Sequence, residues 1–135
     1  MADLTITETD VVPDNNLQAE HAEAAERIVA GEFYRIGDDG KAYKAVNTSA
    51  ANADVSGMAV NTAEVAGQWI RGQQTGSVTI GSHGESNGTT YFLSGNAGKA
   101  APDADVVSGD FVTFLFVVKT STTIELTINA SGASK

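Results

Sequence analysis

The chain has no cysteine, two prolines and one tryptophan in 135 residues. Without cysteine there is no disulfide staple and no thiolate metal site. Basic residues are scarce: eight Lys and Arg face 17 Asp and Glu, a net charge of −9. A surface of that sign repels phosphate, so neither a nucleic-acid partner nor docking on a membrane is expected. No apolar run approaches the ~20 residues of a membrane helix. Met1-Ala2-Asp3 starts acidic with no apolar stretch behind it, so no signal peptide is predicted. His21 and His83 are the only histidines, and neither has a companion at ligand spacing. Serines are plentiful, yet no Gly-x-Ser-x-Gly elbow occurs. Gly84-Glu85-Ser86-Asn87-Gly88 lacks the Lys and the following helix of a phosphate loop. Asp38-Asp39 and Asp103-x-Asp105 could invite calcium, but Asp in a turn more often bonds its own backbone. The sequence therefore predicts no enzyme, no metal and no cofactor.

What is present is strand chemistry. Phe111-Val112-Thr113-Phe114-Leu115-Phe116-Val117-Val118 is almost entirely aromatic or β-branched. It does not alternate, so the strand is covered on both faces or has its second face on a partner. Thr122 to Ile128 alternates cleanly, with Ile124, Leu126 and Ile128 on one side. The two read as a hairpin with a central first strand. Glu32 to Ile36 and Lys41 to Val46 flank Gly37-Asp38-Asp39-Gly40, a second hairpin. Further short strands are predicted at Val55–Val60, Trp69–Arg71, Ser77–Ile80 and Tyr91–Leu93. Leu17 to Val29 is ambiguous. Its Ala and Glu favour a helix behind an Asn16 cap, but the helical stripe is thin, and two short strands around Ala22 to Ala25 are predicted. The spacing gives nine or ten short strands with little helix: an all-β sandwich of jelly-roll kind. Residues 1–16 read as an N-terminal arm and 17–135 as one β domain.

Two stretches echo each other. Gly31-Glu32-Phe33-Tyr34-Arg35-Ile36 leads to Asp39-Gly40-Lys41-Ala42, and Gly88-Thr89-Thr90-Tyr91-Phe92-Leu93 leads to Asn96-Ala97-Gly98-Lys99-Ala100. Ala53-Asp54-Val55-Ser56-Gly57 and Ala104-Asp105-Val106-Val107-Ser108-Gly109 continue the match. The echo predicts a pseudo-twofold sandwich whose halves supply equivalent strands.

Charge is uneven. Seven acids, from Asp3 to Glu26, precede the first basic residue, Arg27. They serve solubility or form an acidic arm for a basic partner surface. Trp69, with Arg71 beside it, is either an interface anchor or a half-buried core residue.

Ile28-Val29-Ala30-Gly31-Glu32-Phe33-Tyr34, the Gly-Lys at 40–41, Ser77-Val78-Thr79-Ile80-Gly81 and Gly88-Thr89-Thr90-Tyr91-Phe92-Leu93-Ser94 carry a resemblance. Over about Leu4 to Ile128 the chain resembles the jelly-roll head decoration, or cement, proteins of tailed bacteriophages. Its acidic Leu17–Glu26 stretch departs from that family, which is more neutral there and contains glycine. The resemblance implies a structural virion protein, made in the host cytoplasm. It would bind the outer surface of a capsid built from the HK97-type major capsid protein. The implied partners are that capsid protein and the chain itself, as dimer or trimer. Leu4, Ile6, Val11 and Val12 are expected to add as an arm to a neighbour's sheet edge, with Trp69 and Arg71 as further contacts. The alternative is a virion-surface module that binds receptor or carbohydrate through Gly81–Gly88, Tyr43 or Tyr91.

Overall fold

A computed structural model describes residues 3–13 and 20–135. The predicted positions 14–16 of the arm and 17–19 of the ambiguous segment lie outside the described residues.

The all-β reading holds: among the described residues ten strands form two antiparallel five-stranded sheets, and the helix is two three-residue 3-10 turns at Glu8–Asp10 and Asp103–Asp105. The first sheet contains β1 (Glu20–Glu23), β2 (Phe33–Ile36), β3 (Ala42–Lys44), β4 (Gly57–Ala59) and β5 (Trp69–Gln73). The second contains β6 (Thr75–Thr79), β7 (Thr90–Leu93), β8 (Ala100–Pro102), β9 (Phe111–Val118) and β10 (Thr123–Ser134). The ambiguous acidic segment supplies β1, paired with β5 from Glu20↔Gly72 to Glu23↔Trp69. A helix there would have left Ala22 and Ala24 without the core they now fill.

Strand order reads β1-β5-β4-β2-β3 in the first sheet and β6-β10-β9-β7-β8 in the second. These are the same order, so each sheet is one copy of the repeat and strands do not alternate between sheets. The echoed glycines match in conformation: Gly40 has φ 78° and Gly98 φ 79°. Both sit before the lysine that ends a hairpin loop, where only glycine takes a positive φ without strain.

The halves are not related by the predicted twofold. Ile36 pairs with Ala42, and Leu93 with Ala100, so Tyr34 and Tyr91 occupy equivalent hairpin positions. Yet Tyr91 faces the core between the sheets, while Tyr34 faces away from it into a second core. The first sheet presents its opposite face, with Phe33 and Met58, to the second sheet. The halves therefore stack front to back, in the same sense.

The shared core is centred on a ring stack. Phe33 lies 6.0 Å from Phe116, and Tyr91 lies 5.1 Å from it, both pairs near parallel. Leu93, Leu115, Val118, Ile124 and Leu126 fill in around them. Asn47 and Ala53 tie the sheets together: Asn47 Nδ2 donates to the Leu93 carbonyl at 3.2 Å, and the Thr113 hydroxyl donates to Ala53 O at 2.5 Å.

The second core lies inside the first sheet, which curls until its edges meet. Ala24 of the segment after β1 bridges Ala42 of β3, and the Ala25 amide donates to Ala42 O at 2.8 Å. So tight a curl leaves room mainly for alanine, and Ala22, Ala24, Ala42, Ala59 and Ala63 line it around Ile28, Ile70 and Tyr34. The Tyr34 ring lies over Gly57 and Gly72. A Cβ on Gly57 would sit 2.8 Å from the Tyr34 hydroxyl, and one on Gly72 would land on it.

Residues 3–13 are not a projecting arm in this chain. The Leu4 amide bonds Ala100 O in β8, and Val12 pairs with Thr79 in β6, the opposite edge of the same sheet. Residues 4–12 thus strap across the sheet. Leu4 is buried in the shared core, and Ile6 and Val11 pack against it. Gly31, with φ 96°, leaves the space that the Ile6 side chain fills. The physical reason is burial: an alternating apolar segment finds its own core at no cost in association entropy.

Candidate functional site

No cluster of three or more His, Cys, Asp or Glu is placed to hold a metal among the described residues. Most polar groups that reach the interior are satisfied locally; the Arg35 Nε is the exception among the described residues. Glu20 accepts from the Tyr34 hydroxyl at 2.7 Å and the Ser56 hydroxyl at 2.9 Å. Burial first, then that carboxylate, pushes the Tyr34 phenol above its ordinary range. The Tyr91 phenol is pushed up to about 12, by burial and then by Glu85. Glu32, only 5% exposed, accepts from the Val29 amide and pairs with Lys99 at 3.3 Å and Lys44 at 3.9 Å. It latches the hairpin loop of one half to the other half. Such groups fix geometry. A bond network of this kind gives no free nucleophile or base.

Five of the N-terminal acids are engaged within the fold. Asp3 is bound by Ser94 and Asn96, Glu8 by Thr62, Glu20 by Tyr34, Glu23 by Lys41 and Glu26 by the Lys44 amide. Glu23 and Glu26 both tie the segment around β1 to β3, and the others close separate junctions.

The surface is more informative. Trp69 is 63% exposed, so of its two readings the structure takes the exposed one. In the β1–β5 pair it sits opposite Glu23, with Arg71 opposite His21. Asn61 fixes this strand from the side: its Nδ2 donates to Trp69 O at 3.2 Å, and its Oδ1 accepts from the Arg71 amide at 2.5 Å. Arg71 makes no ion pair among the described residues. Val65, in the loop before β5, is also exposed. The result is an exposed indole and, two residues on, a cation without an ion pair among the described residues, both on a strand whose backbone Asn61 fixes.

Of the six predicted contact residues, Trp69 and Arg71 share this surface. Leu4, Ile6 and Val11 are taken up in the chain's own core, and of the four predicted contact residues in the strap only Val12 is strongly exposed. Tyr91 is 2% exposed and cannot read a ligand. Tyr43 is engaged on both sides: its hydroxyl donates to Asp39 at 2.7 Å, and its ring stacks under Arg35 at 4.8 Å. That bond holds the exposed Asp39 carboxyl below its ordinary range and raises the Tyr43 phenol. His83 is occupied, its ring nitrogens meeting the Glu85 amide of its own loop at 3.0 Å and Thr120 O of the β9–β10 turn at 2.9 Å.

A second apolar surface was half legible. The outer face of the second sheet carries Phe92 and Phe114, packed edge to face at 5.5 Å, with Val112 and Val117, all half-buried. The unbroken run of β9 signalled it; Phe92 carried no separate signal. A cleft of about 250 Å³ lies under the strap, lined by Leu4, Ile6, Arg27, Glu32 and Lys99. Its buried carboxylate is already neutralised by lysine. No known protein family matches the chain, and no curated protein matches it.

Proposed function

We propose that this chain is a structural virion protein, a decoration or cement protein of the outer surface of an HK97-type capsid. It acts by holding neighbouring capsomers together. The observation that carries this reading is the exposed Trp69 with exposed Arg71, held on a stiff two-core scaffold. Tryptophan and arginine are the side chains that most often dominate a protein contact. The scaffold gives them a fixed geometry at little entropic cost on binding. One such anchor is weak alone, but many copies on a repeating lattice gain by avidity. Capsid protein is thus the partner, with the virion surface as the location. The strap serves the fold, and contact falls to the β1–β5 surface.

The experiment is pelleting with purified capsids that lack the protein. The wild-type chain is expected to co-sediment at saturable stoichiometry, and Trp69→Ala to lose about tenfold or more in affinity at unchanged melting temperature. Equal binding of Trp69→Ala, or none by the wild type, overturns the reading.

A further inference from the structure

We propose that the outer face of β1 and β5 takes a partner surface that presents a carboxylate to the Arg71 guanidinium, at the rim of an apolar pocket for the Trp69 indole. This rests on the capsid reading and states what the shell must offer at the contact. Cations are scarce, eight Lys and Arg against 17 acids. Six of the eight pair with carboxylates, and Arg35 lies over the Tyr43 ring. Arg71 alone has neither kind of partner among the described residues, and it is exposed. Acids are in excess, so placement and not shortage leaves it without an ion pair. Across the strand pair Arg71 faces His21, while Glu23 faces Trp69. Glu23 lies 3.8 Å from Lys41, and Glu64, in the loop before β5, pairs with Arg27 at 3.2 Å. Both carboxylates thus have a cation of their own. Glu20 lies on the opposite face of β1, held by Tyr34 and Ser56.

Charge selects the occupant. The chain carries −9, yet with those pairs cancelling, Arg71 makes this face locally positive. A nucleic-acid backbone would bring its row of phosphates against the acids on the rest of the chain. A lone carboxylate on a protein surface meets Arg71 only. The match is also geometric. The guanidinium is a planar fork that a carboxylate fills with two parallel N–H···O bonds. Asn61 bonds the backbone at Trp69 and at Arg71, so the two side chains leave the sheet from fixed points. They project from the same side of the strand, two residues apart, and Val65 of the preceding loop is exposed as well. Apolar contact at the indole shuts water away from the ion pair beside it, which strengthens that pair.

Pelleting of the full chain with capsids that lack the protein tests this, with charge removal and charge reversal at Arg71 as the readout. Arg71→Gln should bind about tenfold more weakly than the wild type, and Arg71→Glu about a hundredfold, both at unchanged melting temperature. Arg71→Lys keeps the charge but loses the fork, and should fall between the wild type and Arg71→Gln. Arg71→Gln binding as the wild type does, or Arg71→Glu binding as tightly as Arg71→Gln, overturns the carboxylate and leaves the capsid reading standing. No co-sedimentation by the wild type overturns both.

Discussion

The two halves share one strand order and use it differently. The first curls on itself, fills with alanine and glycine, and keeps a private core around Tyr34. The second stays open, fills with Phe, Leu and Val, and takes the back of the first half into its core. Topology therefore does not decide which face becomes the interior; side-chain volume does. Where neighbouring strands carry Gly57, Gly72 and Ala59, the sheet closes tightly. Where they carry Phe116, Leu115 and Leu126, it needs a second layer.

The comparison can be broken most severely at the shared stack. Phe116→Ala removes the ring on which Phe33 and Tyr91 stack and should cost about 4 kcal/mol. Chemical denaturation should show both halves losing stability together; a loss confined to one half would mean that the cores are independent. Gly72→Ala attacks the private core alone. Its methyl meets the Tyr34 hydroxyl, and the cost should be about 3 kcal/mol, relieved in part by pairing it with Tyr34→Phe. No relief would separate the glycine from the tyrosine. Leu4→Ala should cost about 2 kcal/mol through the shared core, and deleting residues 1–12 more, so strap variants should melt early whether or not capsid is present.

Alkali gives a milder test. Below pH 10 the Tyr34 and Tyr91 phenols are neutral in folded and unfolded chain alike, and their contribution is intact. Above it the unfolded tyrosines ionise first, because the folded phenols are held higher. Stability should fall from about pH 10 and keep falling through about 12. Ultraviolet titration should show Tyr34 and Tyr91 ionising only as the fold is lost. Ionisation of all three tyrosines in the intact fold would contradict the two-core packing.

Much of this was readable in residue order. The Phe111–Val118 run, the Phe33–Lys44 hairpin and the echo of Gly-Lys turns are local patterns, and each reports its own strand. The acidic Glu20–Glu23 segment was readable only against its all-β surroundings, since propensity alone favours helix. What escaped depends on distant partners. Gly72 makes sense only beneath Tyr34, Glu32 only between Lys44 and Lys99, and Ile6 only over Gly31. The strap was misjudged for the same reason: alternation reveals an apolar face but not whose core receives it. For the proposed contact surface, Trp69 and Arg71 could be named from sequence, but exposure could not.

The most direct test of a scaffold that works by holding neighbours is an electron-cryomicroscopy map of capsids saturated with the protein. The account predicts ordered copies on the outer shell, with the Trp69–Arg71 edge of the first half buried against capsid protein. Bare shells, or copies whose Trp69 points to solvent, would contradict it.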